Sequence, residues 1–75
     1  MQKGDNRMDI RDNLRALIWD RGFSQTRIAE KSHMTDSQLS MVLTKRRKLD
    51  ANELFDLCNA MEITPTELRD YKQPA

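Results

Sequence analysis

A chain of 75 residues has room for one small domain with a modest core, so helix caps and a partner subunit are expected to matter for stability. Its single cysteine, Cys58, excludes an internal disulfide framework and any multi-cysteine zinc site, and points to a reducing compartment. The net charge of +1 argues against a protein that coats nucleic acid indiscriminately, and no apolar run is long enough for a membrane span. The opening MQKGDNRM also lacks the apolar stretch of a secretory signal, so a cytoplasmic location is expected.

Helical periodicity runs through the chain and nothing alternates as a strand does, so the fold class is expected to be all-α. Residues 1–7 carry little apolar content and are expected to form a disordered arm. Ile10, Leu14, Leu17 and Ile18 then form one apolar stripe, with Asp9 as N-cap and Gly22 as a left-handed C-terminal residue. This predicts a first helix over about residues 9–21. Ser24 caps a short second helix in which Ile28 and Ala29 face inward, ending near Ser32. Only His33 and Met34 separate it from Thr35, which caps a third helix through a capping box with Gln38. So short a link forces a sharp crossing between the two helices. Leu39, Val42 and Leu43 supply the inward stripe of the third.

The same capping grammar recurs twice. Asp50 in DANE opens a fourth helix with Leu54, Leu57, Cys58 and Met61 on one face, and Thr64 in TPTE opens a fifth with Pro65 at its first position. One domain is therefore expected over residues 8–71, followed by a disordered tail over residues 72–75.

Charge is unevenly placed. Between Ser24 and Lys48 stand Arg27, Lys31, Lys45, Arg46, Arg47 and Lys48 against only Glu30 and Asp36, a local excess of +4 that leaves −3 for the remainder. A localised basic patch suits a docked nucleic-acid binder. Taken alone, the run KRRK reads equally as a solubilising loop.

The run SQTRIAEKSHMTDSQLSMVL, a basic loop and then LDANELFDLCNAMEITPTEL resemble the Cro/CI-type (XRE) helix-turn-helix repressors over about residues 10–68. The resemblance implies a compact five-helix, lambda-repressor-like DNA-binding domain whose helix-turn-helix is formed by the second and third helices. Three departures stand out. His33 occupies the corner and Lys45 the position after the third helix, both where the family often has glycine, and His tolerates a left-handed backbone less well than glycine does. Ile18 and Leu43 stand where the family often pairs an arginine with a glutamate. An apolar pair replaces a buried ion pair at little cost, so these two are expected to pack together.

By the same resemblance, the third helix enters the major groove, where base edges distinguish all four base pairs and the helix's first residues reach deepest. Asp36, Ser37 and Met41 match the family's main base-contacting positions, with Gln38 and Ser40 beside them and Thr35 at the cap. Gln38 suits adenine, or only completes the capping box. Asp36 accepts from cytosine N4 or adenine N6, or only stabilises the helix start. Met41 meets a thymine methyl, or turns inward as core filler. Gln25 and Arg27 match phosphate-holding positions at the start of the second helix. Thr44, Lys45, Arg46, Arg47 and Lys48 follow the third, where the DNA backbone rises out of the groove.

The partner expected is double-stranded DNA, bound by a homodimer that reads two half-sites about one DNA turn apart on a palindromic operator, as a repressor. Phe55, the segment Met61 to Ile63, Leu68, Tyr71 and Trp19 are candidate dimer residues. The rival reading is the same fold used against protein, as an antitoxin or adaptor subunit. No cofactor, metal, membrane or small-molecule ligand is implied. One histidine and one cysteine on separate elements, with no glycine-rich loop or paired carboxylates, give no basis for an enzyme.

Overall fold

Each helix begins where a side chain takes over one of the amide protons that a helix start leaves without a partner. In the computed structural model, which describes residues 9–71, five helices follow the caps Asp9, Ser24, Thr35, Asp50 and Thr64. They are α1 Ile10–Asp20, α2 Gln25–Lys31, α3 Asp36–Leu43, α4 Ala51–Met61 and α5 Pro65–Asp70. The arms expected at residues 1–7 and 72–75 lie outside the described residues. Three starts are reciprocal capping boxes. The Gln38 side chain accepts from the Thr35 amide at 2.9 Å while the Thr35 hydroxyl accepts from the Gln38 amide at 3.0 Å, and Asp50 with Glu53 and Thr64 with Glu67 repeat the exchange.

The helix ends are equally uniform. At α1 through α4 one residue turns left-handed, namely Gly22 (φ 69°), His33 (61°), Lys45 (63°) and Glu62 (58°). The amide of the next residue then donates back five positions: Phe23 to the Ile18 carbonyl, Met34 to Ala29, Arg46 to Met41 and Ile63 to Cys58, at 2.8 to 3.0 Å. This paired closure satisfies carbonyls that the helix end exposes. Three of the four left-handed residues are not glycine, so each non-glycine one costs about 1–2 kcal/mol of steric strain that the closing bonds and core contacts offset. The turn at His33 is therefore neither shifted nor opened by the missing glycine.

After three of those ends the closing residue is apolar and returns to the core: Phe23 packs against it, and Met34 and Ile63 are buried in it. α2 packs on α3 and α4, α1 on α3 and α5, and α4 on α5. Ile18 and Leu43 are each 6 % exposed within the same core cluster, so the position of a family ion pair is filled by hydrocarbon. Met61, Ile63 and Leu68 are buried too, which corrects their reading as dimer-surface residues: they fill the inside of the α4–α5 corner. Phe55 and Trp19 do face solvent, at 52 % and 79 % exposure.

One buried polar residue holds α5. The Asn13 side-chain amide donates to the Leu68 and Arg69 carbonyls at 3.0 and 3.1 Å, capping from α1 the end of a six-residue helix. The Tyr71 hydroxyl donates to the Asp20 carboxylate, tying the same end to the end of α1 and pushing the phenol's pKa up.

Replacing Glu62 with glycine is expected to raise stability by about 0.5–1 kcal/mol by relieving left-handed strain, partly offset by glycine's freedom in the unfolded chain. Gly22→Ala meets no atom within 4 Å of the added carbon and is expected to cost about 1 kcal/mol from φ alone. Asn13→Ala is expected to cost roughly 1–3 kcal/mol, because two carbonyls lose their buried donor. Denaturant midpoints check all three.

Candidate nucleic-acid interface

The corner between α2 and α3 is set by three consecutive residues. His33 reverses the chain, Met34 drops into the core, and Thr35 restarts the helix through its box with Gln38. Ala29 is 1 % exposed on α2, where a larger side chain would hold α3 away. With Leu39, Val42 and Leu43 turned inward, α3 presents Asp36, Ser37, Gln38, Ser40 and Met41 to solvent. Met41 is 41 % exposed and so is not core filler. Gln25 is half-buried and Arg27 exposed on the first turn of α2.

Some of these groups are already engaged. The Gln38 carbonyl oxygen is held at the cap, and the Thr44 hydroxyl turns back to donate to the Ser40 carbonyl at 3.0 Å. The capping-box half of the Gln38 alternative is thus present: its oxygen closes the box, while the residue stays exposed.

The basic run is two pairs of residues with different surroundings. Lys45 Nζ lies 3.1 Å from Asp12 of α1, and Arg47 Nη2 lies 2.8 Å from Glu53 of α4. Glu53 uses its other oxygen to close the Asp50 box, so one carboxylate both starts α4 and anchors the loop. Arg46 and Lys48 are exposed, and among the described residues their side chains have no ion-pair partner. Arg46 also stands at the closing position after α3, where the other three helix ends place an apolar side chain that returns to the core.

α1 also holds the loop's backbone. Arg11 Nη1 donates to the Arg47 carbonyl at 3.0 Å, while its Nε and Nη2 hold Asp9 at 3.0 and 2.8 Å. The Arg11 guanidinium keeps the Asp9 carboxyl well below its usual value of 3.8, at about 2. Asp9 therefore caps α1 and orients the arginine that fixes the loop's backbone.

A helix-turn-helix family model matches residues 14–68, from the first fully buried leucine of α1 to the buried leucine of α5. The chain belongs to the Cro/CI-type (XRE) helix-turn-helix family. It is thus a DNA-binding helix-turn-helix regulator with the lambda-repressor-like arrangement of five helices, and its family is a regulatory, generally non-enzymatic one. No significant match to a curated protein or to a solved structure was found.

In this helix-turn-helix domain the corner and the position of α3 agree with the sequence expectation. Sequence reasoning did not foresee the carboxylates that hold Lys45 and Arg47. Asp12 and Glu53 lie 33 and 6 positions away from their partners, and a charged residue on a helix gives no sign of which loop it faces. Asn13 was hidden for a related reason, because a lone polar residue beside an apolar stripe reads as its edge. Among the described residues, no group of three His, Cys, Asp or Glu side chains converges to hold a metal, and no helix is long and apolar enough to cross a membrane.

Because the folded pKa of Asp9 is depressed, its contribution to stability is present above about pH 4 and is lost as pH falls through about 2. Asp9→Asn preserves a good N-cap but removes the charge, so melting temperature is expected to fall less steeply between pH 4 and pH 2 than in the parent. Thermal melts at those two pH values check it.

Proposed function

We propose that the protein is a transcriptional repressor that binds a palindromic operator as a homodimer in the cytoplasm, with α3 of each protomer in the major groove. The observation that carries this reading is the exposed start of α3 beside a loop whose Arg46 and Lys48 have no ion-pair partner among the described residues. Long cations that lack an internal carboxylate are the groups best placed to neutralise phosphates, and phosphate contacts supply most of the affinity for duplex DNA. Gln25 and Arg27, on the first turn of α2, are the proposed phosphate ligands on the other side of the groove. Asp36, Ser37, Ser40 and Met41 are proposed to face base edges, with Thr35 and Gln38 holding the end of the helix that presents them.

Within the loop the four cations divide their work. Arg46 and Lys48 meet phosphate directly. Lys45 exchanges its exposed pair with Asp12 for a phosphate, since an exposed ion pair contributes only about 0–1 kcal/mol. Arg47, bound to Glu53 and carrying the carbonyl that Arg11 holds, keeps the loop in place. Thr44 contributes its position at the loop's start. A dimer is proposed because one domain of this size offers few contacts, and a two-fold pair doubles them across half-sites one turn apart. Trp19 and Phe55 are the exposed aromatic candidates for the dimer surface. Blocking access to the operator then represses the adjacent gene.

Affinity for random duplex, measured by fluorescence anisotropy between about 50 and 200 mM salt, is expected to fall linearly on a log–log plot. Arg46→Ala and Lys48→Ala are each expected to reduce the slope by roughly 0.9 per protomer. Arg47→Ala is expected to lower the melting temperature and to change the slope less. A flat salt response would instead favour a protein-binding module that shares the fold.

A further inference from the structure

Reading helices that recognise guanine do so most often with an arginine or lysine reaching O6 and N7. α3 has neither: over Asp36–Leu43 its one charged residue is an aspartate. The structure also commits part of two polar groups near its surface, leaving Gln38 only the donor end of its amide. Gln38 spends its oxygen on the Thr35 amide, and Thr44 spends its hydroxyl proton on the Ser40 carbonyl. Among the described residues, the exposed α3 side chains with no hydrogen-bond partner are the Asp36 carboxylate, the Ser37 and Ser40 hydroxyls and the apolar Met41. Asp36 and Ser40 lie four residues apart on one row of the helix, and Ser37 and Met41 on the adjacent row.

We propose that Asp36 selects the operator by exclusion, accepting on the strand it faces only a base that carries an exocyclic amine, cytosine N4 or adenine N6, and not its keto counterpart, guanine or thymine, and that Met41 reads a thymine methyl on the same half-site. This rests on the docking of α3 proposed above. An ionised carboxylate is an acceptor alone. Opposite guanine O6 and N7, or thymine O4, it meets only acceptors, so its charge is stripped of water with nothing to bond it. Opposite an amine it makes a charge-assisted bond that offsets that loss. Because the same charge is repelled by every phosphate nearby, Asp36 adds little to affinity and contributes mainly to discrimination. The Ser37 and Ser40 hydroxyls, which both donate and accept, tolerate either kind of edge and leave the choice to Asp36. Met41 supplies no hydrogen bond, and its contact depends on a methyl group being present.

The test is selection of bound duplexes from a random pool by the full chain, in the parent, Asp36→Asn and Met41→Ala forms. Asp36 is exposed at the first turn, and circular dichroism confirms that each variant is folded. The parent is expected to show one position per half-site confined to cytosine or adenine, with guanine or thymine there weakening binding on the order of 10- to 100-fold. Asp36→Asn is expected to move that position alone towards adenine, which offers N6 and N7 to an amide, and to tighten binding to random duplex. Deoxyuridine in place of one conserved thymine is expected to weaken the parent severalfold and to leave Met41→Ala unchanged. Salt-dependent binding with a consensus that Asp36→Asn does not alter would overturn the role of Asp36 while leaving the DNA-binding reading intact. A uridine effect that persists in Met41→Ala would overturn the role of Met41. Absence of binding to any duplex would overturn both this inference and the function beneath it.

Discussion

The geometry of this domain depends on how α2 is stopped and α3 restarted within three residues. Met34 must be buried for the corner to close, and it reaches the core only because His33 takes a left-handed conformation and Thr35 supplies a cap at once. Hydrophobic burial of one side chain, a backbone strain of about 1–2 kcal/mol and a reciprocal cap are therefore coupled. Without the buried methionine the strain at His33 is offset by the closing backbone bonds alone. Without the cap, the amides that begin α3 lack partners at the surface where the helix is presented. The inward row of α3, Leu39, Val42 and Leu43, then fixes which residues are left outside.

Electrostatics adds a second layer that packing does not determine. The basic loop is held by acidic residues on α1 and α4 and by an arginine from α1, so its backbone is located from two sides. This arrangement removes some charges from the loop's outward face and leaves others there. A run of four cations in sequence is a smaller and more directional electrostatic surface in the folded chain. The Arg47–Glu53 pair is partly shielded, while the Lys45–Asp12 pair is more open to solvent, so the two differ in how readily an external anion replaces the carboxylate.

Much of the fold was legible because its signals are local. Serine, threonine and aspartate caps, glutamine or glutamate three residues on, and apolar residues at helical spacing place the starts of all five helices and the ends of the first three to within a residue or two. Each is a contact between near neighbours in the chain. The left-handed turn at Glu62 was not legible, since glutamate carries no signal for that conformation and only Ile63 entering the core makes it necessary. The role of Asn13 was not legible either, because its partners lie 55 and 56 residues away. At the site, exposure of Asp36, Ser37, Gln38 and Ser40 followed from periodicity, while Met41 stood open between the groove and the core until the structure placed it 41 % exposed. Which cations were already occupied did not, since it depends on distances between elements that no spacing in the sequence records.

The closing turn after α3 differs from the other three in what it does with its final side chain. There the chain projects Arg46 outward, yet its amide is bonded to the carbonyl of Met41 at 2.8 Å. The position proposed to face bases and a cation are thereby joined through one short ring of backbone, with no flexible linker between them. Such a pairing works like the frame of a caliper, setting the separation of two backbone positions while their side chains stay free, so the backbone there has less motional freedom left to lose when a rigid duplex is engaged.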